Sequence, residues 1–244
     1  MALLLTPPVQ GTIEYWRDCV LEQVPDLDAR IWPDVGDPAD IEYLLTGFLD
    51  LAELPPLPNL RLVMPMFAGF DHLLVHPDMP DVPIVRTGPP DGDPAMTEYA
   101  VLHVLRHHRQ MPDYLAQQRR REWKVRPQKL PREQGVGFMG FGVLAQPPAR
   151  ALAGLGFDVA AWTRSERSDP DVEMFHGADG LGPFLARTSI LVCLLPLTAE
   201  TDGILNVELF GRMPEGAAVI NLGRGGHLVD DDLIDALDSG QLAG

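Results

Sequence analysis

Three short stretches carry residues suited to a charged, phosphorylated ligand. The first is Gly140-Phe141-Gly142, which opens "GFGVLAQPPARAL" with Ala145 where a third glycine is usual. Gly140 permits a tight bend, and Gly142 lets the main chain approach a pyrophosphate. Alanine is an accepted variant where helix and strand pack closely. Phe141, Val143 and Leu144 belong to the same ligand loop. The second stretch, "WTRSER", sets Thr163, Arg164 and Ser165 where an NAD-preferring site usually carries an acid. Guanidinium and hydroxyl groups suit a ribose 2′-phosphate instead, because Arg pairs bidentately with phosphate, and Arg167 could join them. This reading prefers NADP(H) and still accommodates NAD(H). Two plainer alternatives stand beside it: a purely structural glycine turn, and a surface Arg-Ser turn next to an NAD site. In the third stretch, "VINLGRGG", an apolar run leads into the glycine-flanked Arg224, a fixed and always charged fork or a simple turn.

Such loops work only at the carboxyl ends of parallel strands. The runs "VGFMGFG", "FDVAAW", "SILVCLLP" and "AAVINLG" read as near-continuous apolar strands separated by helical stretches. That pattern is a parallel sheet covered on both faces, a doubly wound α/β domain. Four strand ends then supply four loops: the glycine turn, Thr163-Arg164-Ser165, "LLPLT" and "NLGRGG". Pro147 and Pro148 fit poorly, falling about five residues into the expected helix, where a ring would clash and an amide is missing. A first helical turn that is distorted or shifted is the expectation.

Upstream, short apolar runs again alternate with helical patterns. "ALLL" and "LRLVMPMFAGF" read as strands, and "GTIEYWRDCVLEQV" as a helix carrying Ile13, Trp16, Val20 and Val24. "TGPPDGDP", Thr87 to Pro94, reads as a hinge. A long helical pattern, "AMTEYAVLHVLRHHRQMPDYLAQQRRREW", follows it and breaks or kinks at Met111-Pro112. Arg119, Arg120, Arg121, Lys124, Arg126, Lys129 and Arg132 crowd the next segment as a solvated helix end and linker, with a subunit contact as the alternative. The Asp230-Asp231-Asp232 run matches the dipole of a helix start.

The chain has 244 residues, a net charge of −16 and 45% apolar residues. That length holds one large or two small domains. The charge disfavours nucleic acid and anionic membrane as partners, and no apolar run reaches the length of a membrane span. "MALLLTPPVQG" reads as a first strand and not a signal peptide. Cys19 and Cys193 read as buried thiols in a reducing cytoplasm. No metal site is expected.

Taken together, "FAGFDHLL", "MTEYAVLHVLRHHR", the glycine turn, "WTRS", "LLPLTAETDGILN" and "VINLGRGGHLVDDDLIDALDSGQLAG" resemble the D-isomer-specific 2-hydroxyacid dehydrogenases, closest to the glyoxylate/hydroxypyruvate reductase A type. The resemblance implies two Rossmann-like domains. Residues 1–93 would form a flavodoxin-like substrate-binding domain, incomplete without its C-terminal return. Residues 94–244 would form the NAD(P)-binding domain, with the dimerisation helix at its start and the last strands missing. It implies reduction of a small 2-ketoacid to the 2-hydroxyacid by hydride transfer, and a cytoplasmic homodimer. Arg224 would clamp the substrate carboxylate and polarise the keto oxygen, helped by the amides of Ala68 and Gly69. Leu195, Pro196 and Leu197 would flank the cofactor, and Leu222 and Gly223 would pass beneath the nicotinamide.

The family completes catalysis with a glutamate–histidine pair that would follow Gly244. None of the histidines at 72, 76, 103, 107, 108, 176 and 227 matches that position. The side chain of His227 is expected to leave the active-site loop, and His107 and His108 are expected at a surface or interface. The chain by itself would then lack activity. The alternative is a non-catalytic NAD(P)-binding module of the same fold. A methyltransferase-like domain fits less well, lacking an acid after the second strand and any use for "LGRGG".

Overall fold

The computed structural model describes residues 1–8, 11–47, 49–67, 69–86, 88 and 92–244. The chain divides into two compact units, Met1–Pro89 and Pro90–Gly244. Half of the expected hinge, at 87 and 89–91, lies outside the described residues.

In the first unit, β1 (Ala2–Leu5), β2 (Asp28–Ile31), β3 (Ile41–Thr46) and β4 (Leu62–Pro65) form a parallel sheet in the order β2-β1-β3-β4. All of β1 is buried, as its unbroken apolar run requires. Helix α1 (Ile13–Gln23) begins where the Thr12 hydroxyl accepts the Tyr15 amide at 3.2 Å. It lays Ile13, Trp16 and Val20 on Leu3, Leu5 and Leu45 of the sheet. Cys19, expected to be buried, is only half-buried, as are Ile13, Trp16 and Val20, because α1 covers the sheet from its outer side and buries none of its residues fully. The opposite face packs Leu4, Leu44 and Val63 against Leu51, Leu60 and Leu73, the last from α2 (Asp71–Leu74).

The second unit opens with α3 (Pro94–His108) and α4 (Met111–Arg120). These are two helices where the sequence pattern suggested one with a break. Chain direction changes at Gln110, whose φ is 54°, and Pro112 then stands in the first turn of α4, where its missing N–H costs nothing. After them come β5 (Gly135–Met139), α5 (Gln146–Gly154), β6 (Asp158–Thr163), β7 (Glu173–His176), α6 (Gly177–Arg187), β8 (Ile190–Cys193), α7 (Val207–Phe210), β9 (Ala218–Asn221) and α8 (Asp230–Ser239). The strands are parallel in the order β7-β6-β5-β8-β9. Strand β7 had no sequence signal: "EMFH" is a four-residue edge strand with exposed ends.

Two apolar layers sandwich this sheet. Phe138, Val192, Ile220, Leu152 and Val104 lie in one; Met139, Leu191, Phe184, Leu209 and Phe210 lie in the other. His108 is buried, contrary to its expected surface position. Its ring meets Phe157 edge-on, with centroids 4.8 Å apart, because α3 turns this side toward the sheet.

Candidate site at the carboxyl ends of the second sheet

Strand order reverses at β5: β6 lies on one side and β8 on the other. A crevice therefore opens beyond their carboxyl ends, the usual ligand position in a doubly wound sheet. Register brings the ends together, pairing Met139 with both Trp162 and Cys193, and Cys193 with Asn221. The four expected loops thus leave along one edge.

Gly140 makes the turn out of β5 at φ +90°, and its amide donates to the Trp162 carbonyl at 2.9 Å. A Cβ there would stand 3.0 Å from the Leu194 carbonyl oxygen and 3.3 Å from Leu195 Cδ2. Gly140 therefore fits the glycine turn against the loop after β8. Gly142 differs: a Cβ on it would meet nothing within 4 Å.

The two prolines are resolved by where the helix starts. α5 begins at Gln146, later than the sequence pattern suggested, so Pro147 and Pro148 occupy its first turn and remove amides that have no intrahelical partner. The chain from 141 to 145 is a turn, closed by Ala145 and Gln146 amides donating to the Gly142 carbonyl at 3.0 and 3.2 Å. Among the described residues, the amides of Phe141, Gly142, Val143 and Leu144 donate to no acceptor. Four consecutive orphan amides ahead of a helix can hold an anion. Phe141 contributes main chain only, since its ring is buried in the core.

At the end of β6, Thr163 is buried and its hydroxyl donates to the Ser165 carbonyl at 2.8 Å. That bond folds the corner and leaves Arg164 and Ser165 exposed. Arg167 reaches back, its Nη1 donating to the Phe141 carbonyl at 3.0 Å, so a second guanidinium lies against the glycine turn. Across the corner, the Thr198 hydroxyl, the residue's own main chain and the charge of Arg164 hold the Glu200 carboxyl below its ordinary range.

Leu195 and Leu197 are half-buried and Pro196 is exposed. Their loop is shaped by Thr201, whose hydroxyl donates to the Pro196 carbonyl at 2.7 Å and accepts the Thr198 amide at 2.8 Å. The loop after β9 lies against it. A Cβ on Gly223 would approach the Leu195 carbonyl to 3.2 Å, and one on Gly226 would come within 3.1 Å of Leu197 Cδ2.

Arg224 is held by neighbours, of which Asn221 was not among the expected residues. Asn221 closes an Asx turn, with Oδ1 accepting the Gly223 amide at 3.1 Å and Nδ2 donating to the Arg224 carbonyl at 2.9 Å. The Asn-x-Gly spacing was the available signal for it. His227, expected to point away from the loop, does the opposite. It is fully buried beneath Gly223 and Arg224, because Gly223 has no side chain to exclude the ring. Asp232, in the acidic first turn of α8, accepts the Val207 amide at 2.8 Å as well as facing its own helix.

The remaining expected residues belong to the first unit. Gly69 is half-buried in the segment between β4 and α2, at the carboxyl end of the sheet, and Ala68 lies outside the described residues.

Residues 101–244 match the family model described as D-isomer specific 2-hydroxyacid dehydrogenase, NAD binding domain. The glyoxylate/hydroxypyruvate reductases A of Escherichia fergusonii and Salmonella enteritidis are 36% and 38% identical to the chain. In each case the alignment covers 100% of this chain and 79% of the relative. A solved NADPH-dependent glyoxylate/hydroxypyruvate reductase from Sinorhizobium meliloti, in complex with NADP and sulfate, is 34% identical with a TM-score of 0.89, over 100% of this chain and 79% of its own. A D-isomer specific 2-hydroxyacid dehydrogenase from Xanthobacter autotrophicus Py2, in complex with NADPH and MES, gives 35% and 0.88 over 99% and 78%. With its doubly wound sheet, its four converging loops and this breadth of match, the chain belongs to the D-isomer-specific 2-hydroxyacid dehydrogenase family.

Proposed function

We propose that the protein is an NADPH-dependent reductase of small 2-ketoacids such as glyoxylate or hydroxypyruvate. The single observation that carries this reading is the union, on one sheet edge, of an anion-binding amide turn, an Arg-Ser corner with no acid directly at the strand end and a glycine-flanked arginine. The amides of Phe141, Gly142, Val143 and Leu144 would receive the pyrophosphate, and the open face of Gly142 gives it room. Arg164 and Ser165 would hold the 2′-phosphate, with Arg167 fixed against the turn beside them. The Leu195-Pro196-Leu197 and Leu222-Gly223 segments would line the cofactor's length. Solved relatives bound to NADPH and NADP support the choice of phosphate-bearing cofactor.

When bound, NADPH supplies the hydride. The protein's part is orientation and charge. Arg224 clamps the substrate carboxylate and polarises the keto oxygen, a pair of tasks that a planar guanidinium can do and an ammonium cannot. Residues 1–93 serve as the substrate-binding domain, with Ala68 and Gly69 as its substrate-binding loop, and residues 94–244 serve as the cofactor domain. The chain works as a homodimer. Tyr99 and Leu102 on α3, Met111 and Leu115 on α4, and Trp123, which is 97% exposed, give it an apolar face there. In the basic run, Arg120 pairs with Glu122 at 3.0 Å and Arg126 with Asp113 at 3.1 Å, as a solvated helix end does.

Titrating the NADPH-loaded protein with oxamate, a planar 2-ketoacid mimic that accepts no hydride, tests the anchor. Wild type should bind it, and Arg224→Ala should bind at least about tenfold more weakly (~1.4 kcal/mol). A loaded protein that ignores oxamate would favour the non-catalytic binding module.

A further inference from the structure

We propose that His227 is a positioning residue that fixes the main chain of Arg224, and with it the origin of the guanidinium fork; this rests on Arg224 being the carboxylate anchor. The imidazole is fully buried. Its Nδ1 lies 2.9 Å from the Arg224 amide nitrogen and 3.1 Å from the Arg224 carbonyl oxygen. The amide hydrogen points at Nδ1. The Arg224 carbonyl already receives Asn221 Nδ2 at 2.9 Å and the His227 amide at 3.2 Å. Nδ1 is therefore the acceptor, and the ring's proton sits on Nε2.

Nε2 is buried and has no hydrogen-bond partner among the described residues. A buried, unmatched N–H works against stability. If this space needed only filling, leucine or phenylalanine would fill it without that cost. What the imidazole adds is the lone pair on Nδ1. The fit is built in from the other side too: a Cβ on Gly223 would stand 2.7 Å from both Nδ1 and Cε1 of the ring. Glycine at 223 and histidine at 227 therefore form one device.

The device acts on both polar groups of the Arg224 main chain. Side chains take them where a strand ladder would otherwise, His227 holding the amide and Asn221 the carbonyl. They hold Arg224 extended, at φ −128° and ψ 155°. His227 is itself moored to the floor of the domain, its carbonyl accepting the Leu205 amide at 2.8 Å. Arg224 thus starts from a Cα fixed to the sheet, as a bidentate grip demands.

Oxamate affinity of the NADPH-loaded protein and the NMR signal of the Arg224 amide together test this. In wild type, a ¹⁵N–¹⁵N coupling should connect the Arg224 amide with His227 Nδ1. His227→Leu should remove that coupling, shift the Arg224 amide and weaken oxamate about tenfold, with NADPH affinity within about twofold. His227→Asn, whose Oδ1 can replace Nδ1 as acceptor, should restore most of the oxamate affinity, which a space-filling role would not explain. The proposal is overturned if wild type shows no coupling, if His227→Leu binds oxamate like wild type, or if His227→Asn is as weak as His227→Leu. Should His227→Leu not fold, the wild-type coupling and His227→Asn still decide. Arg224→Ala separates the two readings: unchanged oxamate binding there removes the anchor, while the coupling still reports whether His227 holds that peptide.

Discussion

Replacing Gly140 by alanine should damage the fold, whereas replacing Gly142 should damage only ligand binding. Gly140 sits at φ +90°, where an L side chain costs about 1–2 kcal/mol. Its new Cβ would also lie 3.0 Å from the Leu194 carbonyl oxygen and 3.2 Å from the carbonyl carbon. That carbonyl cannot easily retreat, because the adjoining peptide is tied to the sheet by the Leu194 amide donating to the Met139 carbonyl at 2.9 Å. Leu195 Cδ2, at 3.3 Å, can rotate away. Adding a modest overpacking penalty gives roughly 2–4 kcal/mol in all. For a unit of this size that lowers Tm by roughly 5–15 °C, read by circular dichroism or calorimetry. Gly142 has open space at its Cβ and a φ outside the left-handed region, so Gly142→Ala should stay within about 0.5 kcal/mol of wild type. Its methyl would instead occupy the face offered to the pyrophosphate, weakening NADPH about tenfold or more. A Gly140→Ala protein melting within 2 °C (about the effect of 0.5–1 kcal/mol) would refute the strain argument. Unchanged NADPH binding by Gly142→Ala would refute the placement of the phosphate.

Other outcomes follow from buried groups. Burial pushes the Cys193 thiol up from an ordinary 9.0 to about 11, so in the native chain a disulfide reagent near pH 8 should label Cys19 and spare Cys193 until the protein unfolds. The same shift means the unfolded chain loses that proton first, so stability should fall as pH rises from 9.0 to about 11, and Cys193→Ala should flatten that limb. Burial holds the His108 imidazole below 6.5. The unfolded chain therefore takes up the proton first, and stability should fall as pH drops below 6.5; His108→Phe should reduce that slope in pH-dependent urea melts.

What the sequence made legible followed local pattern. β5, β6 and β8 were readable as mostly buried apolar runs and β9 as an apolar run of alternating buried and half-buried residues, each ending in glycine, proline or polar residues. β7 and β2 were not, since "EMFH" and "DARI" are short edge strands whose side chains alternate without a clear apolar face. Pro147 and Pro148 looked anomalous only because the helix was started too early. The shift to Gln146 depends on the turn at 141–145, a tertiary feature that no period in the sequence announces. At the candidate site, residue types were enough to single out Arg164 and Arg224 as candidates. Ties between residues far apart in the chain, such as Arg167 to Phe141, were invisible, whereas the turn at Asn221 had a local signal. His227 lies three positions from Arg224, yet the fold of the intervening glycines decides whether its ring turns under the loop or away from it.

Parallel titrations of NADPH and NADH by fluorescence quenching, on wild type and Arg164→Ala, test the central claim most directly. Wild type should bind NADPH more tightly than NADH. Arg164 is exposed and faces Glu200, so its pair with a 2′-phosphate is worth about 1–2 kcal/mol, the low end for a charge-assisted contact. Arg164→Ala should therefore weaken NADPH roughly 5–30-fold and leave NADH within about twofold. Equal affinity of the wild-type protein for the two cofactors would contradict the account.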